Sequence, residues 1–243
     1  MPHAARTVLS GTGTATPKLA DGQIEAIRLL KIARARDTAV KAHTTTIITL
    51  KTASDELRDA LDRLSDHKLA LACANLQVAG DMSDPNVAMH HALSHLAHRW
   101  LDLHEEIRVH STQLKVLTNA AAPEMLKRFG VGFDTAAEML TTAGDNADRI
   151  RSEAAFAKLC GVCPIPAGSG KTSGRHRLNR GGNRQATAAL YRVVIVRLRW
   201  HPPTIDYVAR HQAEGLSKKD IIRCLKRFVA RELYQLLAES SSE

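Results

Sequence analysis

A serine between two glycines, followed closely by cations, is the feature of this sequence best suited to chemistry. It lies in PAGSGKTSGRHRLNRGGNR, residues 166–184, where Gly168 and Gly170 flank Ser169. A serine hydroxyl becomes an effective nucleophile when a base removes its proton and positive groups stabilise the charge developing on a phosphate. Flanking glycines allow the backbone to approach such a phosphate closely. Ser169 is therefore a candidate nucleophile, and the alternative is an ordinary loop serine.

The cationic side chains of the same stretch are spaced closely enough to bind a run of phosphates. They are Lys171, Arg175, His176, Arg177, Arg180 and Arg184. Because a guanidinium is a planar, two-pronged donor, arginines at this density suit phosphate oxygens. The stretch contains no Phe, Trp or Tyr, so contact with the nucleic-acid backbone is predicted here rather than base stacking. His176 is also a candidate proton carrier.

The letters GSGKT also match the end of a nucleotide-binding phosphate loop, but the complete motif is absent. That motif, G-x-x-x-x-G-K-[ST], follows a strand and opens a helix. Ile165 stands where the first glycine is required, and the glycines downstream disfavour a long helix. Two prolines make the preceding LCGVCPIP a poor buried strand. Nucleotide binding is therefore the least favoured interpretation.

Charge is distributed unequally along the 243 residues. The net charge at pH 7 is +9, and the range from Lys158 to Tyr234 holds 16 Lys and Arg against 4 Asp and Glu. The first part of the chain is nearly neutral and the last part is basic. This distribution predicts that the first part serves assembly and that the last part binds a polyanion. No apolar run approaches the roughly 20 residues of a membrane span. We expect no membrane partner and a bacterial, cytoplasmic location.

Cysteine usage and histidine spacing are the two places where metal or redox chemistry has to be considered. Cys160 and Cys163 form a C-x-x-C motif, but no second cysteine pair completes a zinc site. Reduced, mostly buried thiols are the favoured interpretation, and a redox role is the less favoured alternative. His91, His95 and His98 share one helix face, as metal ligands would, but lack an obvious carboxylate. A solvated histidine face is favoured, and no metal ligand is assigned.

The composition, rich in aliphatic residues and poor in aromatics, predicts a mainly α-helical fold. Residues 21–119 are predicted as a helical region for oligomerisation, with Ser54 and Asp84-Pro85 at helix starts. An a/d heptad seam runs through Leu93, Leu96, Trp100, Leu103, Ile107, His110, Leu114 and Leu117. It predicts a coiled coil whose partner is an earlier helix, a second protomer, or both. A single amphipathic helix on a core is the alternative.

Residues 123–243 are predicted as a compact, basic helical domain. It opens with PEMLKRFGVGFDTAAEML, a helix-hairpin-helix-like pattern with Gly130 and Gly132 in its turn. Such a hairpin can present backbone N–H groups to a phosphate, and a plain helix C-cap at Gly130 is the alternative. Near the end, SKKDIIRCLKRFVARELYQLL is predicted as an amphipathic helix capped by Ser217.

The basic domain resembles the C-terminal domain of the IS-one-ten family of insertion-sequence transposases, the serine-bearing bridge recombinases. The resemblance rests on FAKLCGVCPIPAGSGKTSGRHRLNRGGNRQATAALYRVVIVRLRWHP and on YVARHQAEGLSKKDIIRCLKRFVAREL. GVGFDTAAEMLTTAGD resembles the opening hairpin of that domain. Residues 9–50 resemble, more weakly, the segment that leads from the family's N-terminal domain into its coiled coil.

The resemblance implies that Ser169 matches the family's nucleophilic serine, which becomes covalently joined to DNA by phosphoryl transfer. It also implies a coiled coil that joins protomers, and a guide RNA from the element as a partner besides DNA. In the family, four acidic residues of an N-terminal RuvC-like domain bind magnesium. Residues 1–20 match only the tail of that domain, and the first acidic residue is Asp21. Two hypotheses follow: a truncated transposase without its own magnesium ligands, or a non-catalytic, nucleic-acid-binding and dimerising remnant.

Overall fold

Helices make up most of the protein, which confirms the mainly α prediction. The computed structural model describes residues 16–19, 21–34, 36–50, 52–61, 63–166, 168, 176–179 and 181–240, with the backbone alone at 36–40, 43 and 240. The chain forms two compact units, a front unit of residues 29–113 and a back unit of residues 1–28 with 114–243.

The helices of the described residues follow one another with short connections. They are α1 (Gln23–Ala33), α2 (Arg36–Leu50), α3 (Asp55–Leu61), α4 (Asp66–Ala74), α5 (Pro85–Ala121), α6 (Pro123–Leu126), α7 (Phe133–Ala143), α8 (Glu153–Leu159), α9 (Arg184–Trp200), α10 (Pro202–Ala213) and α11 (Lys218–Ser240). A 3₁₀ turn covers Ala147–Arg149, and two short strands, β1 (Pro164–Pro166) and β2 (His176–Leu178), separate α8 from α9. None of the described helices combines the length and the apolar run that a membrane crossing requires.

The front unit is built on one side of α5. A buried cluster joins Leu50 of α2, Leu61 of α3 and Leu69 of α4 to Leu93 of α5. Trp100, one seam position further along, packs with residues of α2 and α4 in a second cluster. Seam positions are therefore buried against earlier helices of the same chain. Every seam position from Leu93 to Leu117 is buried or half-buried, whereas a coiled coil with a second protomer stays a prediction.

The predicted helix starts of the front unit are confirmed. Ser54 directly precedes α3, and Asp84 Oδ1 accepts a hydrogen bond of 2.8 Å from the Asn86 N–H at the first turn of α5. Such a bond satisfies one of the amide donors that a helix start leaves without an internal partner. The first part of the helical region predicted over residues 21–119 consists of two helices, α1 and α2.

The back unit is centred on α9, which packs against α7, α10 and α11. Apolar residues recur on α9 with helical spacing, so that Leu190, Val193 and Val194 all lie in the core with at most 1% of their surface exposed. Ser217 Oγ accepts a 3.2 Å hydrogen bond from the Asp220 N–H, which confirms the predicted cap of α11. The predicted inward face of α11 is also confirmed, with Ile221 1% exposed.

Residues 17–24 are attached to the end of α7. The Leu19 N–H donates to Asn146 Oδ1 at 2.8 Å, and Asn146 Nδ2 donates back to the Pro17 carbonyl at 2.9 Å. The Ile24 N–H in the first turn of α1 donates to Asp145 Oδ1 at 2.9 Å. Because the Asp145 carboxylate satisfies an amide at this helix start, it acts as a cap supplied from a distant part of the sequence.

Candidate nucleic-acid site

The serine-bearing stretch is carried by a two-stranded antiparallel ribbon that sequence reasoning did not predict. Pro164 pairs with Leu178, Ile165 with Arg177, and Pro166 with His176. The prolines of β1 are compatible with this ribbon because each strand of a two-stranded sheet is an edge, where a missing N–H costs no ladder bond. The region expected to be only a glycine-rich loop is therefore paired at its two ends.

The predicted site residues are distributed between the ribbon, a helix start and a turn. His176 and Arg177 lie on β2 with exposed side chains, and Arg184 is the exposed first residue of α9. Gly130 and Gly132 lie in the turn between α6 and α7. The remaining candidates, Ser169, Lys171, Arg175 and Arg180, lie outside the residues that the structure describes.

A close approach of two glycines, which we call the glycine junction (Gly161 and Gly182), holds both ends of the ribbon. Gly161 has a φ of +68°, a conformation that favours glycine. A Cβ added to Gly182 would lie 2.2 Å from the Gly161 nitrogen and 2.7 Å from the Lys158 carbonyl oxygen. Only glycine at residue 182 therefore allows the end of α8 to contact the start of α9 this closely.

Asn183 connects the junction to α9 and to α7. Its Oδ1 accepts hydrogen bonds from the Gln185 and Ala186 N–H groups at 2.8 Å and 3.2 Å, capping α9. Its Nδ2 donates to Glu138 Oε1 at 3.4 Å and to Thr142 Oγ1 at 3.2 Å. One side chain thus fixes the start of the helix whose first residue is Arg184.

A cavity of about 670 Å³ lies beside the ribbon and against α11. Its wall includes the cationic side chains Arg177, Arg223 and Arg227 together with His176 and the apolar Phe228. Carboxylates balance only part of this charge: Arg223 pairs with Asp220, and Arg227 with Glu153. Glu153 is in addition shared with Arg231, whose Nε lies 2.9 Å from Glu153 Oε2. The surroundings of the cavity therefore keep a net positive charge.

Sequence reasoning missed Arg223 and Arg227 as site residues. The signal was present, because the predicted polar face of α11 is rich in Lys and Arg, but nothing in the pattern brings that face beside the ribbon. Burial, together with the charge of Arg223, lowers the pKa of the neighbouring Lys226. Burial is the larger of these two causes, and the Arg223 guanidinium adds like-charge repulsion to it.

A second basic cavity, of about 510 Å³, lies at the glycine junction. Its wall includes Lys18, Arg149 and Lys158 with the backbone of residues 181–183. Lys18 Nζ donates to the Thr141 carbonyl at 2.9 Å, and this bond holds the amino-terminal segment at the edge of the cavity. Cationic side chains therefore line cavities at the ribbon and at the junction that anchors it.

The glycine turn predicted between two helices is present. Gly130 has a φ of +78°, so the turn requires a residue tolerant of the left-handed region. It is not the C-cap of α6, which ends earlier with Lys127 in that position. Gly132 is exposed and is the N-cap residue of α7. The first helix of the hairpin, α6, is a single turn of 4 residues.

The structure gives no support to the metal and redox alternatives within the described residues. No group of three or more His, Cys, Asp or Glu side chains in that part of the chain is placed to hold a metal ion. The His91 and His95 rings lie 4.3 Å apart, whereas His98 Nδ1 lies 2.8 Å from the Ser94 carbonyl oxygen. Burial, reinforced by the charge of Glu138, raises the pKa of the Cys160 thiol to about 12, which suppresses the reactive thiolate.

Comparison with known proteins shows that this region is similar to a family of transposases. Residues 124–209 match the model of the Transposase IS116/IS110/IS902 family. A stretch of 141 residues is 28% identical to the "Insertion element IS110 uncharacterized 43.6 kDa protein" of Streptomyces coelicolor, and covers 57% of this chain and 35% of that protein. A stretch of 110 residues is 27% identical to the "Insertion element IS900 uncharacterized 42 kDa protein" of Mycobacterium paratuberculosis, and covers 45% of this chain and 28% of that protein.

The matched region contains the α6–α7 turn, the ribbon, the glycine junction and α9, which are the elements that position the candidate site. The chain spans about a third of the length of the curated relatives it matches. The resemblance expected from the sequence is confirmed over residues 124–209, which match the model of the IS116/IS110/IS902 family of transposases.

Proposed function

We propose that this protein provides the serine-bearing, nucleic-acid-binding part of an insertion-sequence transposase. In the proposed reaction Ser169 Oγ attacks a phosphodiester of DNA. An Oγ–P bond forms, the hydroxyl proton passes to a base, and the P–O bond to the departing nucleotide breaks as its oxygen takes up a proton. The observation that carries this proposal is the ribbon, which pairs Pro166 with His176 on either side of Ser169 and contributes His176 and Arg177 to the wall of a basic cavity.

Chain length supports the link between Ser169 and this cavity. Ser169 follows Pro166, the last residue of β1, by three positions. Three extended residues span at most about 11 Å, and we propose that Ser169 acts within this reach of the ribbon. Pro166 pairs with His176, a lining residue of the cavity and our candidate for the proton carrier.

The cations of the cavity supply the electrostatic part of the proposal. A phosphodiester gains negative charge at its non-bridging oxygens as a nucleophile attacks, and guanidinium groups fixed beforehand stabilise that charge without reorganising. Arg177, Arg223 and Arg227 are held on β2 and α11, both regular elements. We propose that they bind the phosphates on either side of the reacting one, together with Lys171, Arg175, Arg180 and Arg184.

Magnesium, which the resemblance implies for the intact family enzyme, has no fitting ligand set among the described residues. Divalent magnesium requires oxygen ligands in octahedral geometry, usually from one or two carboxylates and substrate phosphates. Asp220, which lines the cavity, and Glu153, which contacts the lining residue Arg227, are engaged in ion pairs with arginine. No step of the proposed reaction is therefore assigned to a metal held by these residues.

A second function has to be separated from the first: binding of nucleic acid without cleavage. The net charge of +9 and the two basic cavities favour binding by themselves. We also propose a second protomer, to which the half-buried seam positions Leu103 and Ile107 are available, and an RNA from the element as a further partner. A DNA substrate would place the activity in the bacterial cytoplasm.

Adduct trapping separates cleavage from binding. The chain is incubated with a nicked, labelled element-end DNA, with and without magnesium, and covalent protein–DNA complexes are resolved on denaturing gels. An adduct that disappears in Ser169→Ala and persists in Ser173→Ala, a matched serine of the same stretch, supports the proposed chemistry. Salt-sensitive binding without any adduct supports the non-catalytic function. Absence of binding at low salt contradicts both functions.

A further inference from the structure

Trp200 is the most exposed large apolar side chain of the described residues, with 70% of its surface accessible. It is the last residue of α9, and the chain turns at His201, where φ is −108° and ψ is 101°. Pro202 and Pro203 then open α10. Because a residue before proline is kept out of the helical region, α9 has to end here. The indole is thus placed at a sharp bend between two helices.

The surface around Trp200 is built from the glycine turn and the last turns of α9. Phe129 is 44% exposed, and its ring centroid lies 5.1 Å from that of His201. Arg197 Nε donates a 2.9 Å hydrogen bond to the Phe129 carbonyl, which fixes the turn to the helix. Val196, one turn before Trp200 on the same face, is 39% exposed. These contacts hold the surroundings of the indole rigid.

Positive charge surrounds this aromatic surface. Arg192 and Arg199 are exposed, at eight and one positions before Trp200. They share a face of α9 with Val196 and Trp200, because positions spaced by three, four, seven and eight lie on one side of a helix. No acidic residue occurs in α9. Glu232, which contacts α9 from α11, is paired with Arg197. A flat aromatic ring beside exposed guanidinium groups favours a ligand that carries both a planar ring and negative charge.

We propose that Trp200 stacks on an unpaired nucleobase of a nucleic acid whose backbone crosses Arg192 and Arg199. This inference rests on the nucleic-acid binding of the proposed function and names a binding site within it. In a duplex both faces of a base are covered by its neighbours, so a base that is splayed out or single-stranded is required. Stacking on an aromatic side chain tolerates any base, and the guanidinium groups bind the flanking phosphates.

The test compares binding of fluorescein-labelled strands by anisotropy at fixed salt. The probes are a single-stranded DNA, the RNA of the same sequence, and a blunt DNA duplex. We expect Trp200→Ala to weaken binding of the single strands roughly 5- to 150-fold, the loss that removal of a stacking aromatic produces, and to change duplex binding less than twofold. Trp200→Phe should keep most of the affinity. Val116→Ala, which truncates a side chain that is 61% exposed on α5, is the matched control.

A second arm uses single strands with one abasic position moved along the sequence. For the wild type, one abasic position should reproduce the loss caused by Trp200→Ala, and the variant should show no further loss at that position. The DNA and RNA probes show which nucleic acid supplies the base.

Equal weakening of single strands and duplex, or no weakening of either, would overturn the stacking site while leaving the proposed function intact. Absence of salt-dependent binding to every probe would instead remove the proposed function and this inference together. Concentration-dependent dimerisation that is lost in Trp200→Ala, with unchanged single-strand affinity, would assign the surface to a second copy and also overturn the stacking site.

Discussion

Substitution of Gly182 by alanine tests the glycine junction directly. The added Cβ would lie 2.2 Å and 2.4 Å from the nitrogen and Cα of Gly161, and 2.7 Å from the Lys158 carbonyl oxygen. These neighbours are backbone atoms, so no side chain can rotate away, and the end of α8 has to separate from the start of α9.

The separation breaks two hydrogen bonds that hold the junction together. They are the 2.6 Å bonds from the Asn183 N–H to the Leu159 carbonyl and from Thr187 Oγ1 to the Cys160 carbonyl. At about 1 kcal/mol for each bond and about 1–3 kcal/mol for overpacking, we expect Gly182→Ala to lower the free energy of unfolding by about 3–5 kcal/mol. With a typical m value of about 2 kcal/mol/M, the urea midpoint should fall by roughly 2 M.

Urea unfolding followed by circular dichroism measures this loss, and hydrogen exchange of α8 and α9 peptides locates it. Gly132→Ala is the matched control, because an added Cβ there meets no atom within 4 Å and the φ of −94° suits alanine. Because Gly132 is the N-cap residue of α7, where alanine is less favourable than glycine, the free energy of unfolding of this variant should fall by no more than about 1 kcal/mol. If Gly182→Ala unfolds within that same margin at an unchanged m value, the close approach described for the junction is wrong.

Three further predictions concern the contacts around the site. Asn183→Ser should cost less unfolding free energy than Asn183→Asp, although both residues can cap α9 and both lack the amide donor. The reason is that the aspartate alone adds a negative charge opposite the Glu138 carboxylate, across a contact of 3.4 Å. Chemical denaturation at pH 7 gives the ranking, and equal losses would contradict it. The pKa of Cys160 is about 12 instead of 9.0, so its thiolate fraction at pH 8 should be roughly a thousandfold lower than that of an ordinary cysteine. Cys160 should therefore resist alkylation by iodoacetamide until the protein is unfolded. Rapid alkylation of the native protein would refute this. Asn146→Ala should speed tryptic cleavage after Lys18, because the bonds to residues 17 and 19 are lost; peptide mapping over time measures the rate, and an unchanged rate would show that these bonds do not hold the segment.

Local signals in the sequence predicted the helices well. Ser217 and Asp84 were identified as caps from their residue type and their position before an apolar pattern, and both make the expected bonds. The glycine turn at residues 130–132 was predicted on the same kind of signal. Such features depend on residues within one or two helical turns, so a single sequence is sufficient to locate them.

The ribbon and the cavity could not be predicted in this way, because they depend on contacts between distant residues. Strands of three residues contain too few positions for an alternating pattern, and the prolines of β1 argued against a strand. Arg223 and Arg227 are 45 or more positions beyond His176, and only the packing of α11 beside the ribbon brings them to one cavity.

The chain segment from Gly161 to Gly182 begins and ends at nearly the same point of the helical core of the back unit. Its two ends are in contact at the junction, and a 2.9 Å bond from the Asn179 N–H to the Cys163 carbonyl continues the pairing towards them. Since the closure is made by backbone atoms at the two ends of this segment, we expect that the residues between Pro166 and His176 can change in length or composition without moving α8 or α9. We therefore expect that replacing this segment by the corresponding segment of a relative leaves the packing of α8 and α9 unchanged.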